Sequence, residues 1–216
     1  MGNSEVISVS RNPKPASTTW SSQVRYVRGD ALTDDLVAIF RSADAVISCV
    51  GALGSDDDAR NNGETNERIA LAAKQVGASR FAYVSVHPLV SDAASDIFPA
   101  YLAGKKRAEQ AIRSNFPDAC IIRPTLIYGG DSFNVNPPRV PTGYGAFVDA
   151  TLSSGPFRTI ADAASPLPAL KLALLPPVDN VTVGKALAIA ALSDESPPRD
   201  VIGKDQIAQL AAGALS

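Results

Sequence analysis

Tyr101-Leu102-Ala103-Gly104-Lys105 places a phenol and an ammonium four positions apart. On a helix that spacing puts both side chains on one face, one turn apart. A phenol with a pKa of about 10 is a poor acid or base at neutral pH, and a neighbouring ammonium stabilises its phenolate. The pair therefore suits proton exchange with a substrate oxygen. Other chemistry-bearing residues stand at the ends of short apolar runs: Ser85 after Phe81-Ala82-Tyr83-Val84, Val50-Gly51-Ala52 after Ala45-Val46-Ile47, and Arg11 and Asp30 after two more. A glycine lets a ligand approach the backbone closely, and a guanidinium takes a phosphate bidentately. His87, the only histidine, stands beside Pro88 with no cluster at metal-ligand spacing. No metal site is expected, and His87 reads as a loop residue.

These residues need a frame to hold them. Residues 6–9, 24–28, 45–50, 80–85 and 119–124 read as strands, the third continuously apolar as in a strand buried on both faces. Helices are predicted from Thr33, as cap, to Phe40, over about 64–76 with Gly77 as the stop, and from Pro99 to about Arg113. Asp56-Asp57-Asp58 and the residues up to Asn62 read as a polar loop. The alternation implies an α/β fold, one domain built on a doubly wound, mostly parallel sheet. Across 131–177, Pro and Gly break the pattern while Phe133, Tyr144, Phe147 and Phe157 keep it apolar. That stretch reads as an irregular excursion over one end of the sheet, part of a small C-terminal region covering a substrate. Helices over 182–192 and 206–212 close the domain.

The start of the chain carries its own expectation. Gly2, the strand at 6–9 and the turn Ser10-Arg11-Asn12-Pro13 have the order that follows the phosphate-binding helix of a dinucleotide-binding unit. The first strand and its Gly-x-Gly-x-x-Gly turn are not among these residues, so the sheet is expected to be N-terminally truncated. In the doubly wound order that strand lies centrally, and 6–9 and 45–50 should flank a gap or a foreign strand. Without a helix N-terminus for the pyrophosphate, weak dinucleotide binding is expected.

Composition narrows the function classes. The 216 residues are 45% hydrophobic and 19% charged, with 20 basic against 22 acidic side chains. Nothing in that balance marks a nucleic-acid or anionic-membrane footprint, and no apolar run reaches the ~18–20 residues of a membrane span. Cys49 and Cys120, both in apolar runs, read as buried free thiols of a reducing compartment.

Four motifs in order carry a resemblance. They are Asn66-x-x-Ile69-Ala70-x-Ala72-Ala73-Lys74-x-x-Gly77, Tyr83-Val84-Ser85, Tyr101-x-x-x-Lys105 followed by Arg107-Ala108-Glu109, and Arg123-Pro124-Thr125-Leu126-Ile127-Tyr128-Gly129. Together they resemble the extended or atypical branch of the short-chain dehydrogenase/reductase superfamily. Within that branch the chain is similar to the nucleotide-binding accessory subunit of respiratory complex I and to related mitochondrial and plastid proteins.

The resemblance implies an NAD(P)-binding Rossmann-type fold. It implies Tyr101 as general acid/base, Lys105 as its electrostatic partner and ribose ligand, and Ser85 as the hydroxyl orienting the substrate oxygen. Asp30 would lie beside the adenine, Val50, Gly51 and Ala52 beneath the cofactor, and Thr125 near the nicotinamide. Asn66 would face the cofactor or orient its helix. Arg11 at a strand end favours NADP over NAD, since an acidic residue there would bind a free ribose diol; the alternative is a surface arginine capping a turn. Val86-His87 departs from the second small hydroxyl residue of many active members. Two readings follow. One is an NAD(P)H-dependent oxidoreductase or epimerase-like enzyme on a small organic, quinone- or isoprenoid-like substrate. The other is a non-catalytic accessory subunit of a respiratory or photosynthetic membrane complex. Either implies a mitochondrial or plastid location.

Overall fold

The computed structural model describes residues 4–15, 19–130, 140–154, 174–193 and 195–214, with backbone alone for Thr19 and Trp20. Val6–Ser10 (β1) and Val24–Arg28 (β2) pair in parallel, with Ser10 opposite Arg28. The chain continues through Leu36–Phe40 (α1), Ala45–Ser48 (β3), Asp58–Gln75 (α2), Arg80–Val84 (β4) and Pro88–Ala93 (α3). Pro99–Asn115 (α4), Cys120–Arg123 (β5), Ile127–Tyr128 (β6) and Thr142–Leu152 (α5) follow. Val178–Asp179 (β7), Asn180–Leu192 (α6), Asp200–Ile202 (β8) and Gly203–Ala211 (α7) complete the described elements.

The central sheet is parallel throughout, in the order β3-β4-β5-β8. Side chains alternate across it as a pleat requires. Phe81, Tyr83 and Ile121 point to the side of α2 and α4, packing with Ile69, Ala73, Ala108 and Ile112. Ala82, Cys120, Ile122 and Val201 point to the other side, against Leu187, Ala190, Ile207 and Leu210 of α6 and α7. Complete burial of Ile112, Ile121 and Ile122 stabilises the sandwich by roughly 1.5–3 kcal/mol per side chain. The helices α2 and α4 approach through glycine. A Cβ at Gly104 would stand 2.8 Å from the Ala59 carbonyl oxygen, and one at Gly63 would stand 3.3 Å from the Gly104 Cα.

Among the described residues β1 and β3 do not pair, as expected; β1 and β2 form a sheet of their own. Both strands leave apolar side chains open, Val6 49% and Ile47 43% exposed.

Several expectations need correction. The third strand ends at Ser48, two residues early, and Cys49 beyond it is exposed rather than buried, whereas Cys120 is buried. The helix after it starts at Asp58, within the expected polar loop. Asp57 caps Arg60 N, and Asp58 accepts from Gly54 N and Ser55 N. Asp35 rather than Thr33 caps α1, accepting from Val37 N and Ala38 N. The helix α3 and the strands β6, β7 and β8 were not anticipated, whereas α5 is one of the short helical stretches expected between the Pro and Gly breaks of 131–177. Gly2, Phe133 and Phe157 lie outside the described residues. No helix among the described residues is long and apolar enough to cross a membrane.

Candidate active site

One stripe of α4 supplies the chemistry. Tyr101, Lys105 and Glu109 succeed one another at helical spacing and face the C-terminal end of β4. Lys105 is 6% exposed, and its Nζ donates to the Val84 carbonyl oxygen at 3.1 Å. The ammonium lies 4.9 Å from the centre of the Tyr83 ring and 5.8 Å from that of Tyr101, so two aromatic faces enclose it. Burial lowers its pKa to about 8, against opposing pulls from Glu109 and Cys49. Tyr101 moves the other way. Burial, reinforced by Asp58, raises its phenol to about 12. The depressed phenol expected from the Lys105 neighbourhood is therefore absent in the free protein. The cation meets the ring of Tyr101, and desolvation outweighs it.

Ser85 is buried at the end of β4, and its hydroxyl donates to Glu109. The same carboxylate accepts from Arg123, whose Nη2 lies 2.9 Å from Oε2. Arg123 also reaches Asp200 through Nε at 3.1 Å, and Arg113 reaches Asp200 at 3.1 Å. A chain of alternating charges thus runs from beneath Lys105 to the sheet edge at β8. Ser85 shares the end of β4 with Lys105, as expected, but its proton is directed at Glu109. Tyr83 completes the group. Its hydroxyl is buried and makes no hydrogen bond among the described residues, and burial, with Tyr101 and Glu109 nearby, pushes its pKa well up.

The loop after β3 runs against this cluster. A Cβ at Gly51 would stand 3.0 Å from Asn62 Oδ1 and 3.2 Å from Lys105 Nζ, so Gly51 is where backbone and ammonium meet. Asn62 holds the loop in place: its Oδ1 accepts from Ala52 N at 3.2 Å and its Nδ2 donates to Ala52 O at 2.7 Å. Asn66 does the same one turn on, accepting from Ser48 Oγ and donating to Val50 O and Asn62 O. With every amide group engaged and the residue fully buried, Asn66 positions the loop.

Thr125 donates to Pro176 O at 2.9 Å, tying the β5 end to the segment before β7. His87 caps α3, its Nδ1 accepting from Leu89 N at 3.1 Å. Arg11 and Asp30 line a polar cleft of about 470 Å³ at the ends of β1 and β2, away from α4. Tyr83, Glu109 and Arg123 stand in the quoted motifs with no role drawn from the sequence, and Asn62 stands only at the end of the expected polar loop. Glu109 and Asn62 each carried a signal, one turn from Lys105 and from Asn66 respectively.

A family of NAD(P)H-binding proteins matches residues 2–144. The chain belongs to that family. An uncharacterized chloroplastic protein of Arabidopsis thaliana is 30% identical over 206 residues, covering 88% of this chain and 64% of the plant protein; the chain thus spans just under two thirds of that relative. Among solved structures, MoeE5 in complex with UDP-glucose and NAD superposes with a TM-score of 0.58 at 15% identity, over 97% of this chain and 73% of its own. The Bordetella bronchiseptica enzyme WbmG in complex with NAD gives 0.56 at 16%, over 94% and 65%. These likenesses establish the Rossmann-type α/β fold expected from the motif order. The residues here fit such a dinucleotide in two places: the glycine loop pressed on Lys105, which a Cβ would crowd, and the arginine-lined cleft.

Proposed function

We propose that the protein is an NAD(P)H-dependent oxidoreductase or epimerase-like enzyme acting on a small organic substrate. The observation that carries this reading is the buried Lys105, held between two tyrosine rings and against Gly51. A buried ammonium is costly to a fold, and its position at a backbone made bare by glycine suits a ribose. Lys105 and the loop Val50-Gly51-Ala52 would hold the nicotinamide end, and Arg11 and Asp30 the adenosine end, with Arg11 favouring NADP. The bound reduced nicotinamide supplies the hydride. Tyr101 would donate its proton to the substrate oxygen as the hydride arrives; burial raises its phenol to about 12, so the proton is in place at neutral pH but is released less readily than from an ordinary phenol. Ser85, whose hydroxyl donates to Glu109, would turn that donor to the substrate oxygen to orient it. The chloroplastic relative supports a plastid location.

The second reading, a packing module of a membrane complex, draws on Tyr144 and Phe147, 55% and 70% exposed on α5. Turnover separates the two. NADPH oxidation should be found with members of a panel of quinones and small carbonyl compounds, and Tyr101→Phe should slow it by about 10²-fold or more while nucleotide binding persists. No turnover with any acceptor, despite nucleotide binding, would leave the packing reading standing.

A further inference from the structure

The cleft at the ends of β1 and β2 carries more positive charge than Arg11 alone supplies. It is lined by Arg11, Asn12, Arg28, Asp30, Thr33 and Asp34 and encloses about 470 Å³, within the range of about 300–1,000 Å³ of small-molecule sites. In the β1–β2 register Arg11 follows one residue beyond the level of Arg28. Ser10 lies opposite Arg28, and Gly29 N donates to Ser10 O at 3.0 Å. A Cβ at Gly29 would meet Val9 and Ile39 at 2.9 Å, so the strand end that carries Arg28 is packed closely.

Neither guanidinium has a hydrogen-bond or ion-pair partner among the described residues, whereas Arg25 and Arg68 nearby are both engaged. The carboxylates of the cleft are turned toward their own loop. Asp30 Oδ1 accepts from Leu32 N at 2.9 Å, and Asp34 accepts from Asp30 N at 2.8 Å and from Thr33 Oγ1 at 3.3 Å. The cleft therefore presents two uncommitted forks to a ligand.

We infer that Arg28 acts together with Arg11 as a two-guanidinium clamp for a phosphate monoester on the ribose of the bound nucleotide. The inference rests on the NAD(P) reading and extends it to a residue of β2. A phosphate monoester is close to a dianion at neutral pH and has three acceptor oxygens, enough for two bidentate partners. One partly exposed arginine gives modest selectivity; a second on the neighbouring strand multiplies it.

The test is calorimetric titration of the folded 216-residue protein with 2′,5′-ADP, 5′-AMP and inorganic phosphate, repeated for Arg28→Ala and Arg28→Lys. Wild type should bind 2′,5′-ADP about tenfold or more tightly than 5′-AMP. Arg28→Ala should weaken 2′,5′-ADP by about tenfold and leave 5′-AMP within about twofold. Arg28→Lys should fall between, keeping the charge but losing the fork. Equal affinity for the two nucleotides, or an unchanged Arg28→Ala, would overturn the clamp while leaving nucleotide binding intact. Inorganic phosphate binding as tightly as 2′,5′-ADP would reduce the cleft to a simple anion site and overturn it too. Binding of neither nucleotide would remove the NAD(P) reading and this inference together.

Discussion

Replacing Lys105 by Met should make the folded protein more stable and its nucleotide site worse. The lysine is fully enclosed, and its pKa falls from 10.5 to about 8, which corresponds to about 3 kcal/mol of disfavoured charge at pH 7. Methionine has a similar length and no charge to desolvate. The hydrogen bond to Val84 O and the contact with two rings are lost in exchange, leaving a net gain of about 1–3 kcal/mol. For a chain of this size that raises Tm by about 2–4 °C per kcal/mol. The pH dependence identifies the cause. Because the folded pKa lies below the unfolded one, the unfolded chain binds more protons between the two values. The lysine's contribution to wild-type stability should therefore rise with pH from about 8 toward 10, offset in part from about 9 upward by Cys49 and Cys120, whose thiols burial raises. Above that window Tyr101 and Tyr83, whose folded pKa values are raised, pull the other way. Urea melts of both proteins at several pH values read this directly. Lys105→Met should lose the upward component of the slope, declining with the two thiols where the lysine lifts wild type. A variant that is less stable at pH 7, with the same pH slope as wild type, would show that Lys105 is not held as a desolvated cation.

Two further substitutions probe the same packing. Gly104→Ala sets a Cβ 2.8 Å from Ala59 O and from Asn62 Cβ, so α2 and α4 must part; a loss of about 1–3 kcal/mol is expected in denaturant melts, and an unchanged midpoint would argue against so close a crossing. Tyr83→Phe removes the buried hydroxyl that has no partner among the described residues and should stabilise by about 1 kcal/mol or more; a clear loss in calorimetry would mean that this hydroxyl is bonded in solution.

Much of the frame was legible because parallel strands buried on both faces announce themselves as apolar runs. Residues 80–85 and 119–124 came within a residue or two of β4 and β5 for that reason. The Tyr101–Lys105 stripe was legible because helical spacing alone puts the two on one face. What escaped was polar and inward-facing. Asn62 is fully buried, yet an asparagine gives no apolar period, so the first turns of α2 looked like loop. Glu109 reads as a solvated helix charge until Arg123, from a distant strand, is placed beside it. The short strand β8 offers only Asp200-Val201-Ile202, too brief for a period to register. Arg28 sits in an alternating strand, and only the β1–β2 register shows that it shares a cleft with Arg11.

The central claim is that a dinucleotide lies along the strand ends from the Arg11–Arg28 cleft to Lys105. Amide chemical-shift mapping during an NADPH titration tests it most directly, since it registers even weak binding residue by residue. Shifts should concentrate at Arg11, Asn12, Asp30, Val50, Gly51, Ala52, Ser85 and Lys105, and those near Lys105 should vanish in Lys105→Met. Saturable shifts confined to α6 and α7, or none at any NADPH concentration, would contradict the account.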